Sequence, residues 1–507
     1  MAEEITRRRA FGMAGASVAG VAGVAIGARR AADIVRPSQP VPAAPATSGP
    51  RFVSRPDLNP PPITMYQYGA VSPDRYIFLN TPASGPGTGG TEIIDHKGDL
   101  IWFGPNTPAY HRQDFNVQMY NGEPVLTWWE GRIVFGHGEG RAVIADSNYQ
   151  VKHIILLKSP DLADLHEFVV TPQGTAIIDA YRLHSGVNLT GVGGPASGYI
   201  FSGVFQVIDI ATGKLIFEWD SYSPTNPPVP IGDTYITIGR QGVQAYPFDY
   251  FHINSIYPDT DGNYLVSSRH CWTVYKINST DGSIMWRMNG KKSDFSMGPG
   301  APFKWQHHVR PYGNGEMTIF DNGYCGPGRP AEPQSRALVL NVDQVNMKVT
   351  LKRAITHPKV PMLASGLGDV QMLAGAEMFV GWGDARRFSQ FGAEGKMLLD
   401  GVVERSASSY RVFSQPWVGH PVDPPDAAAR YRTGGGATVY ASWNGATEVA
   451  SWTVYAGQSG HLGKVATASR TGFETAINVS STGPYFAVQA HDSSGTALAR
   501  SNPVKIT

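Results

Sequence analysis

Residues Trp305–Gly323 read WQHHVRPYGNGEMTIFDNG, and their layout recurs through most of the chain. His307 and His308 stand before an extended segment, the turn residues Gly313–Gly315 follow, and the apolar run MTIF leads to a second turn. Two extended runs joined by Asn-Gly indicate a β-hairpin. The stretch therefore predicts two paired strands with imidazoles at the mouth of the first. Histidine in such a place can bind, donate or attack near neutral pH.

A second recurring signature is a turn that contains Asp and Gly, or Gly alone, followed by an apolar run. It is present at Ile93–Phe103, Val207–Trp219, Lys276–Met288 and Arg387–Leu399, with weaker copies at Val143–Leu156 and Leu340–Lys352. Repeats of roughly 50–60 residues that contain four strands are typical of β-propeller blades. First strands open at Asn116, His166, His252, His307 and Asp369. We count six units, the first without a clear inner strand pair, and predict an all-β chain with a six-bladed propeller.

The composition agrees with many short strands joined by turns. The 507 residues include 58 Gly and 38 Pro, and 11% of the chain is aromatic. The net charge is +1 and only 16% of residues are charged, so the chain has no basic stripe for nucleic acid or a membrane surface. We expect no nucleic-acid partner.

Four regions follow from these patterns. Residues 1–35 predict a twin-arginine export signal, because RRAF precedes an uncharged Gly/Ala/Val run. A short membrane anchor and an uncleaved signal are the alternatives. Residues 36–75 form a Pro/Ala-rich linker and lead-in, 76–413 the propeller, and 426–507 a small C-terminal β-sandwich of fibronectin III or Ig-like type. We expect an extracellular or cell-envelope location, with a possible envelope partner for the sandwich.

Three histidines occupy equivalent positions in consecutive units. His166 precedes VVTPQGTAII, His252 precedes SIYPDTDGNYLV, and His307 precedes RPYGNGEMTIF at the fold-defining hairpin. First strands of propeller blades surround the central channel, so we expect these side chains to converge. Asn254 lies two residues after His252 and is expected on the same side of its strand.

Two arginines end second strands at the same predicted face. Arg182 and Arg269 would add positive charge there, although Arg182 has the alternative of pairing with a carboxylate such as Asp179. Strand alternation places His307 on the channel axis and His308 away from it, and a one-residue register slip would exchange them. We keep His308 as a candidate substrate-binding residue.

The residue types favour anion chemistry. Three histidines are a frequent zinc ligand set, but a guanidinium beside them opposes a dication and suits an oxyanion. We therefore predict no metal and no cofactor. An imidazole nitrogen that attacks phosphorus or sulfur would form a covalent intermediate, with Arg, Asn and His donors stabilising the oxygens.

The segments with these residues resemble the arylsulfotransferase (arylsulfate sulfotransferase) family across the whole predicted propeller. The resemblance rests on DLHEF at 164–168, FHINSIYPDTDGNYLVSSR at 251–269 and QHHVRPYGNGEMTIFDNG at 306–323, with support from SRALVLNVD at 335–343 and GDVQMLAGAEMFVGWG at 368–383. It implies transfer of a sulfuryl group from a phenolic sulfate donor to a phenolic acceptor, without a nucleotide sulfate donor and through a sulfohistidine.

The resemblance also implies roles for the catalytic candidates. His307 would be the nucleophile, His252, Asn254 and Arg269 would hold the sulfuryl oxygens, and His166 would act as acid and base. The second histidine, His308, departs from the family pattern. A related propeller sulfatase or hydrolase and a non-catalytic binding propeller are the alternatives.

The two cysteines fall at nearly equivalent places in neighbouring units. Cys271 lies 19 residues after His252 and Cys325 lies 18 after His307. An exported protein favours a disulfide between them, whereas the spacing of adjacent blades opposes it. The sequence leaves both options open.

Overall fold

The computed structural model describes residues 50–81, 89–107, 110–222, 229–403 and 408–507. The predicted export signal at 1–35 and the linker up to residue 49 lie outside the described residues. Within the described ranges, no helix is both long enough and apolar enough to cross a membrane.

The first half of the described chain is built of strands. They are β1 (Ile63–Gln67), β2 (Arg75–Thr81), β3 (Gly90–Ile94), β4 (Leu100–Pro105), β5 (His111–Tyr120), β6 (Glu123–Val134), β7 (His137–Ala145), β8 (Val151–Ile155), β9 (Phe168–Val170), β10 (Thr175–Val187), β11 (Gly198–Asp209), β12 (Leu215–Asp220), β13 (Phe248–Asp249), β14 (Ile253–Pro258), β15 (Tyr264–Ser268), β16 (Thr273–Ile277) and β17 (Ile284–Met288).

The second half continues in the same way. Its strands are β18 (Ser296–Met297), β19 (His307–Gly313), β20 (Glu316–Asp321), β21 (Arg336–Asp343), β22 (Lys348–Ile355), β23 (Asp369–Met372), β24 (Met378–Gly381), β25 (Arg387–Phe391), β26 (Met397–Val403), β27 (Phe413–Pro416), β28 (Asp426–Tyr431), β29 (Ala437–Ser442), β30 (Ser451–Gln458), β31 (His461–Ser469), β32 (Glu474–Val479), β33 (Tyr485–His491), β34 (Ala497–Arg500) and β35 (Val504–Lys505). Single-turn 3-10 helices occur at Thr190–Val192, Ile231–Asp233, Ala374–Ala376 and Gly383–Ala385.

Five antiparallel sheets follow one another along the chain. They consist of β5–β8, β9–β12, β14–β17, β19–β22 and β23–β26, and each runs from its first strand outward in sequence order. A further strand extends three of them, because β13 pairs with β11, β18 with β22 and β1 with β26. Strand β1 lies inside the range predicted as linker and lead-in.

A sixth sheet joins the two ends of this region. Its order is β27-β2-β3-β4, and the innermost strand β27 pairs antiparallel with β2, with Phe413 opposite Phe78. The first repeat therefore lacks an inner strand in sequence because β27, at the other end of the region, supplies it. The described residues contain six such sheets, the number of units that the repeats predict.

The core lies between adjacent sheets. Ile144 of β7 packs in one apolar cluster with Ile178 of β10, and Val274 of β16 packs with Val309 of β19. The β23–β26 sheet packs in the same way against the β27-β2-β3-β4 sheet, where Phe379 of β24 shares a cluster with Leu79 of β2. Burial of apolar side chains at each of these contacts stabilises the ring. The predicted all-β propeller class is confirmed.

The C-terminal residues form two more sheets. One has the order β28-β29-β32 and the other β31-β30-β33-β34, with β35 beside β33. A shared core with Val439 from the first and Trp452 and Phe486 from the second makes this module a sandwich. Its assignment to the fibronectin III or Ig-like type stays a prediction. The Asn444 side chain accepts a hydrogen bond from the N–H of Phe103 and donates one to its carbonyl, which joins the module to β4 of the β27-β2-β3-β4 sheet.

Candidate functional site

The three predicted histidines stand at the mouths of three consecutive sheets. His166 lies two residues before β9, His252 one residue before β14, and His307 is the first residue of β19. All three are buried. The rings of His166 and His252 are 5.1 Å apart, and the proximity of both His166 and His307 lowers the pKa of His252. The structure therefore brings the three imidazoles together.

The His307 imidazole is held in one tautomer. Its Nδ1 lies 2.7 Å from Oδ1 of Asn322, and the Asn322 Nδ2 donates to the carbonyls of Ala364 and Leu367. Those two bonds fix the orientation of the amide, so Oδ1 must accept and Nδ1 of His307 must carry the proton. Nε2 is then the unprotonated nitrogen, and its lone pair accepts the backbone N–H of Leu367 at 3.3 Å.

Carboxylates orient the other two imidazoles in the same way. Nδ1 of His252 lies 2.5 Å from Oδ2 of Asp249, and Nδ1 of His166 contacts Oδ1 of Asp164. Each aspartate also accepts the backbone N–H of its histidine. Nε2 of His252 is buried without a hydrogen-bond partner among the described residues. A carboxylate on Nδ1 fixes the tautomer and stabilises the imidazolium when it forms.

Sequence reasoning missed these three orienting side chains. Asp164 and Asp249 precede their histidines by two and three residues, so the patterns Asp-x-His and Asp-x-x-His were readable as pairs. Asn322 was seen only as part of a turn. Its contact with His307 depends on the pairing of β19 with β20, in which His307 lies opposite Phe320.

Arg269 lies beside the imidazoles with uncharged contacts. Its Nη2 donates to Nε2 of His270 at 3.1 Å, and its guanidinium lies 4.5 Å from the centroid of the Trp305 ring. Nδ1 of His270 donates to the carbonyl of Asp249 at 2.6 Å, which leaves its Nε2 as the acceptor. The Arg269 Nε–H is buried without a partner among the described residues. A guanidinium with an unused donor suits an oxyanion ligand.

Burial and the charge of Arg269 keep the imidazoles of His252, His270 and His307 neutral. Burial lowers the pKa of His307 well below its usual value, and the charge of Arg269 lowers it further. Burial and the charge of Arg269 act in the same direction on the pKa of His252. For His270, burial is again the main cause of a strongly lowered pKa. A neutral His307 with an unprotonated Nε2 is the form required for nucleophilic attack.

Strained backbone is concentrated around this pocket. His252, Trp305, His308 and Leu367 all have positive φ angles, of 51°, 62°, 51° and 64°. Non-glycine residues rarely adopt this conformation, and it occurs most often at functional sites. The left-handed residues and the register shifts at the start of β14 and β19 direct the strand mouths into the pocket.

Asn254 is placed differently from its expected position. The register of β14 shifts between Ile253 and Ser255, so regular alternation from His252 does not apply. Asn254 is fully buried and its Nδ2 donates to the carbonyl of Gln306 at 2.8 Å, which links β14 to the residue before His307. Its Oδ1 has no partner among the described residues.

Arg182 takes the alternative that the sequence left open. Its guanidinium pairs with Asp161, with Glu218 at 3.0 Å and with Asp220 at 3.1 Å, rather than with Asp179. Three carboxylates neutralise this charge. These ion pairs support the alternative of carboxylate pairing, and substrate binding by Arg182 stays a prediction.

His308 lines a cavity on the inner strands of several sheets. Strand β19 is irregular between His307 and Arg310, so alternation does not place the two histidines as expected. His308 lines an axial cavity of about 550 Å³ together with Asp114, Glu167 and Arg310. Its Nδ1 accepts the backbone N–H of Val370 at 3.3 Å. Strand alternation therefore does not decide which of the two histidines faces the channel axis, and the assignment of His307 to it stays a prediction. Their hydrogen-bond partners distinguish the two.

A buried ion-pair network lies at the inner end of the histidine cluster. Arg411 pairs with Glu167 at 2.7 Å and with Asp114 at 3.0 Å, and Arg310 pairs with Glu167 at 2.9 Å. The neighbouring Tyr410 places its ring 5.4 Å from that of His166. This network was not visible in sequence because its members come from four different sheets.

Two groups of described side chains have ligand atoms close enough to share a metal ion. One is His137, Asp249 and His252, and the other is Asp164, His166 and Asp179. In both groups a ring nitrogen of each histidine forms a hydrogen bond with an aspartate carboxylate. The absence of a metal cofactor stays a prediction. The cysteine alternative is resolved by geometry, since Cys271 and Cys325 are both free thiols.

Together these features define a β-propeller protein with a histidine-rich pocket suited to an oxyanion. The family model for arylsulfotransferase (ASST) matches residues 116–404, more than half of the chain. The chain belongs to the arylsulfotransferase family, as the sequence resemblance predicted.

Comparison with other proteins adds distant likenesses. No curated protein matches the chain. A protein of unknown function from Bacteroides caccae is 11% identical with a TM-score of 0.40, over 68% of this chain and 99% of that one. A virginiamycin B lyase from Staphylococcus aureus is 9% identical with a TM-score of 0.34, over 75% of this chain and 96% of that one. Similarity at this level says nothing about activity.

Proposed function

We propose that the protein transfers a sulfuryl group from a phenolic sulfate ester to a phenolic acceptor through a sulfohistidine on Nε2 of His307. The family supports an arylsulfotransferase-like function in general. The observation that carries the finer proposal is the Asn322 amide, which leaves Nε2 of His307 as the unprotonated nitrogen of a buried, neutral imidazole beside Arg269. An imidazole in that state is a nucleophile without further activation.

In the first half-reaction, Nε2 of His307 attacks sulfur and the bond between sulfur and the donor's phenolic oxygen breaks. The departing phenolate takes a proton from His166, whose imidazolium Asp164 stabilises. In the second half-reaction, the acceptor phenol returns its proton to His166 and its oxygen attacks sulfur. The S–N bond then breaks and His307 is restored, so the cycle consumes no net proton and needs no cofactor.

Hydrogen-bond donors beside His307 stabilise the negative charge on the sulfuryl oxygens. Arg269 supplies the unused Nε–H, and His252 supplies an Nε2–H once it is protonated in the complex with the anion. The Leu367 N–H, which bonds Nε2 of His307 in the free protein, is released when the S–N bond forms and donates to a sulfuryl oxygen instead.

Asn254 and His308 have narrower roles in this proposal. Asn254 acts by fastening the carbonyl of Gln306 and so positions His307. His308 binds groups that enter the axial cavity. The protein works outside the cytoplasm after twin-arginine export, and the C-terminal sandwich is free to engage a cell-envelope partner.

The test is an assay with 4-nitrophenyl sulfate in the presence and absence of phenol. Release of 4-nitrophenolate that requires phenol supports transfer. Release without phenol would identify a sulfatase, and no release under either condition would favour a binding propeller.

The nucleophile is tested separately by rapid acid-free quenching and peptide mass spectrometry. We expect an adduct of about 80 Da, the mass of SO₃, on His307 after exposure to the donor alone. The variant His307→Gln should lose the adduct and the activity. An adduct on His308 would overturn the assignment.

A further inference from the structure

The hairpin between β6 and β7 reaches the histidine cluster with the first residue of β7. Strands β6 and β7 stay paired to their tip, where Val134 lies opposite His137. Nε2 of His137 lies 3.1 Å from Oδ2 of Asp249, the oxygen that also receives Nδ1 of His252. The His137 ring packs 4.1 Å from Tyr181. A residue of the β5–β8 sheet therefore contacts Asp249 of β13, the carboxylate that orients His252.

The next residue contacts the other orienting carboxylate. The backbone N–H of Gly138 donates to Oδ2 of Asp164, whose Oδ1 holds His166. A side chain at this position would not fit, because a Cβ on Gly138 would lie 2.7 Å from both the backbone nitrogen of Leu165 and the ring of Trp129. Two adjacent residues of one strand thus bind the two carboxylates that orient two imidazoles.

We propose that His137 is a positioning residue that, together with the Gly138 N–H, holds Asp249 and Asp164 in place and so sets the proton affinity of His252. This inference rests on the proposed sulfuryl transfer. His137 does not touch the reacting atoms in this scheme. It acts through the carboxylate that it shares with His252, and no feature of the family match assigns it a role.

Several ionisable groups surround His137. They are Asp249 on the strand before the His252 mouth, His252 itself, Asp164 before β9, Tyr181 of β10 and Arg269 after β15. Burial opposes charge on His137, but the hydrogen bond to Asp249 and the negative charges of Asp249 and Asp164 raise its pKa. Burial alone would raise the pKa of Asp249, yet the neighbouring His270 and the His137 hydrogen bond hold it below its usual value.

The sign of the effect on His252 follows from these contacts. The carboxylates beside His137 raise its pKa and favour a positive charge on it, and such a charge repels a second one on His252. His137 also occupies part of the Asp249 carboxylate, and both effects disfavour protonation of His252. Removing the charge on His137 therefore makes His252 easier to protonate. The limb of the kcat/KM profile that His252 controls must then move to higher pH.

The experiment compares two substitutions of the same residue. His137→Leu removes both the hydrogen bond and the charge, whereas His137→Gln keeps a donor toward Asp249 without a charge that titrates. Arg132→Gln is the matched control, because Arg132 lies on the same hairpin and forms only an exposed ion pair with Glu139. Transfer to phenol is measured between pH 5 and 9 for all four proteins.

We expect His137→Leu to lower kcat/KM by roughly 10- to 100-fold and to move one limb of its pH profile upward by about one pH unit. His137→Gln should recover most of the maximal kcat/KM but keep the shifted limb of the pH profile. Arg132→Gln should match the wild type in both. If His137 had a merely structural role, its replacement would lower the maximal kcat/KM without moving the limb of the pH profile. Superimposable limbs in all four proteins would overturn the inference, whereas an inactive wild type would overturn the proposed function instead.

Discussion

Oδ1 of Asn322 lies 2.7 Å from Nδ1 of His307 and decides which nitrogen of that imidazole is available for attack. The relationship joins the mouth of β19 to the residue that follows the end of β20. It is maintained from behind by the two backbone carbonyls that receive the Asn322 amide protons.

Replacement of Asn322 should therefore damage catalysis more than binding. In Asn322→Ala the imidazole loses its fixed tautomer and rotates, and we expect kcat for 4-nitrophenyl sulfate to fall on the order of 100-fold with a smaller change in KM. The buried carbonyl of Ala364 also loses a donor, which costs about 1–3 kcal/mol. The assay must run well below the unfolding midpoint of the variant, measured in parallel. A kcat within threefold of the wild type would contradict the orienting role.

Arg269 should control binding and transition-state charge together. Arg269→Met removes the guanidinium and leaves the apolar contact with Trp305, and we expect kcat/KM to fall roughly 100- to 1000-fold. Arg269→Lys should recover little of this, because an ammonium lacks the planar donors that reach His270 and the substrate at once. Equal activity of the lysine variant and the wild type would show that only charge matters at this position.

Arg182 provides the contrasting case. Its three carboxylate partners predict a stabilising role without substrate contact. Arg182→Met leaves buried Asp161 without its partner, and we expect a loss of about 3 kcal/mol in the free energy of unfolding. Thermal unfolding and steady-state kinetics at 25 °C separate the two effects. A large rise in KM with little change in unfolding would instead support substrate binding by Arg182.

The sequence was sufficient to predict the fold class and the convergence of the imidazoles, because both depend on repeats. A four-strand period predicts blades, and an equivalent position in each blade predicts neighbours in space. The inner strand of the β27-β2-β3-β4 sheet was hidden, since β27 and β2 lie at opposite ends of this region in sequence. The partners of His307 and Arg182 were hidden for a related reason. They depend on strand irregularities and on loops, where period-two alternation no longer tells which side chains meet.

Stability should also respond to pH through a carboxyl group outside the pocket. Glu92 of β3 is buried, with Oε1 2.7 Å from the hydroxyl of Thr81, and burial raises its pKa to about 8. In the unfolded chain this group ionises near its ordinary pKa of 4.5. Between these values the folded protein holds a proton that the unfolded chain has released. The contribution of Glu92 to stability therefore decreases as pH rises from about 4.5 to about 8, and it is constant above that.

Glu92→Gln removes this dependence, because the amide mimics the protonated acid and does not titrate. We expect the free energy of unfolding of the variant, relative to the wild type, to increase with pH by about 1.4 kcal/mol per unit up to pH 8 and then to level off. Urea unfolding at pH 6, 7, 8 and 9 measures the difference. Glu123→Gln, at an exposed position of β6, is the control and should give a constant difference. A constant difference for Glu92→Gln as well would mean that the buried carboxyl is already ionised in the folded protein.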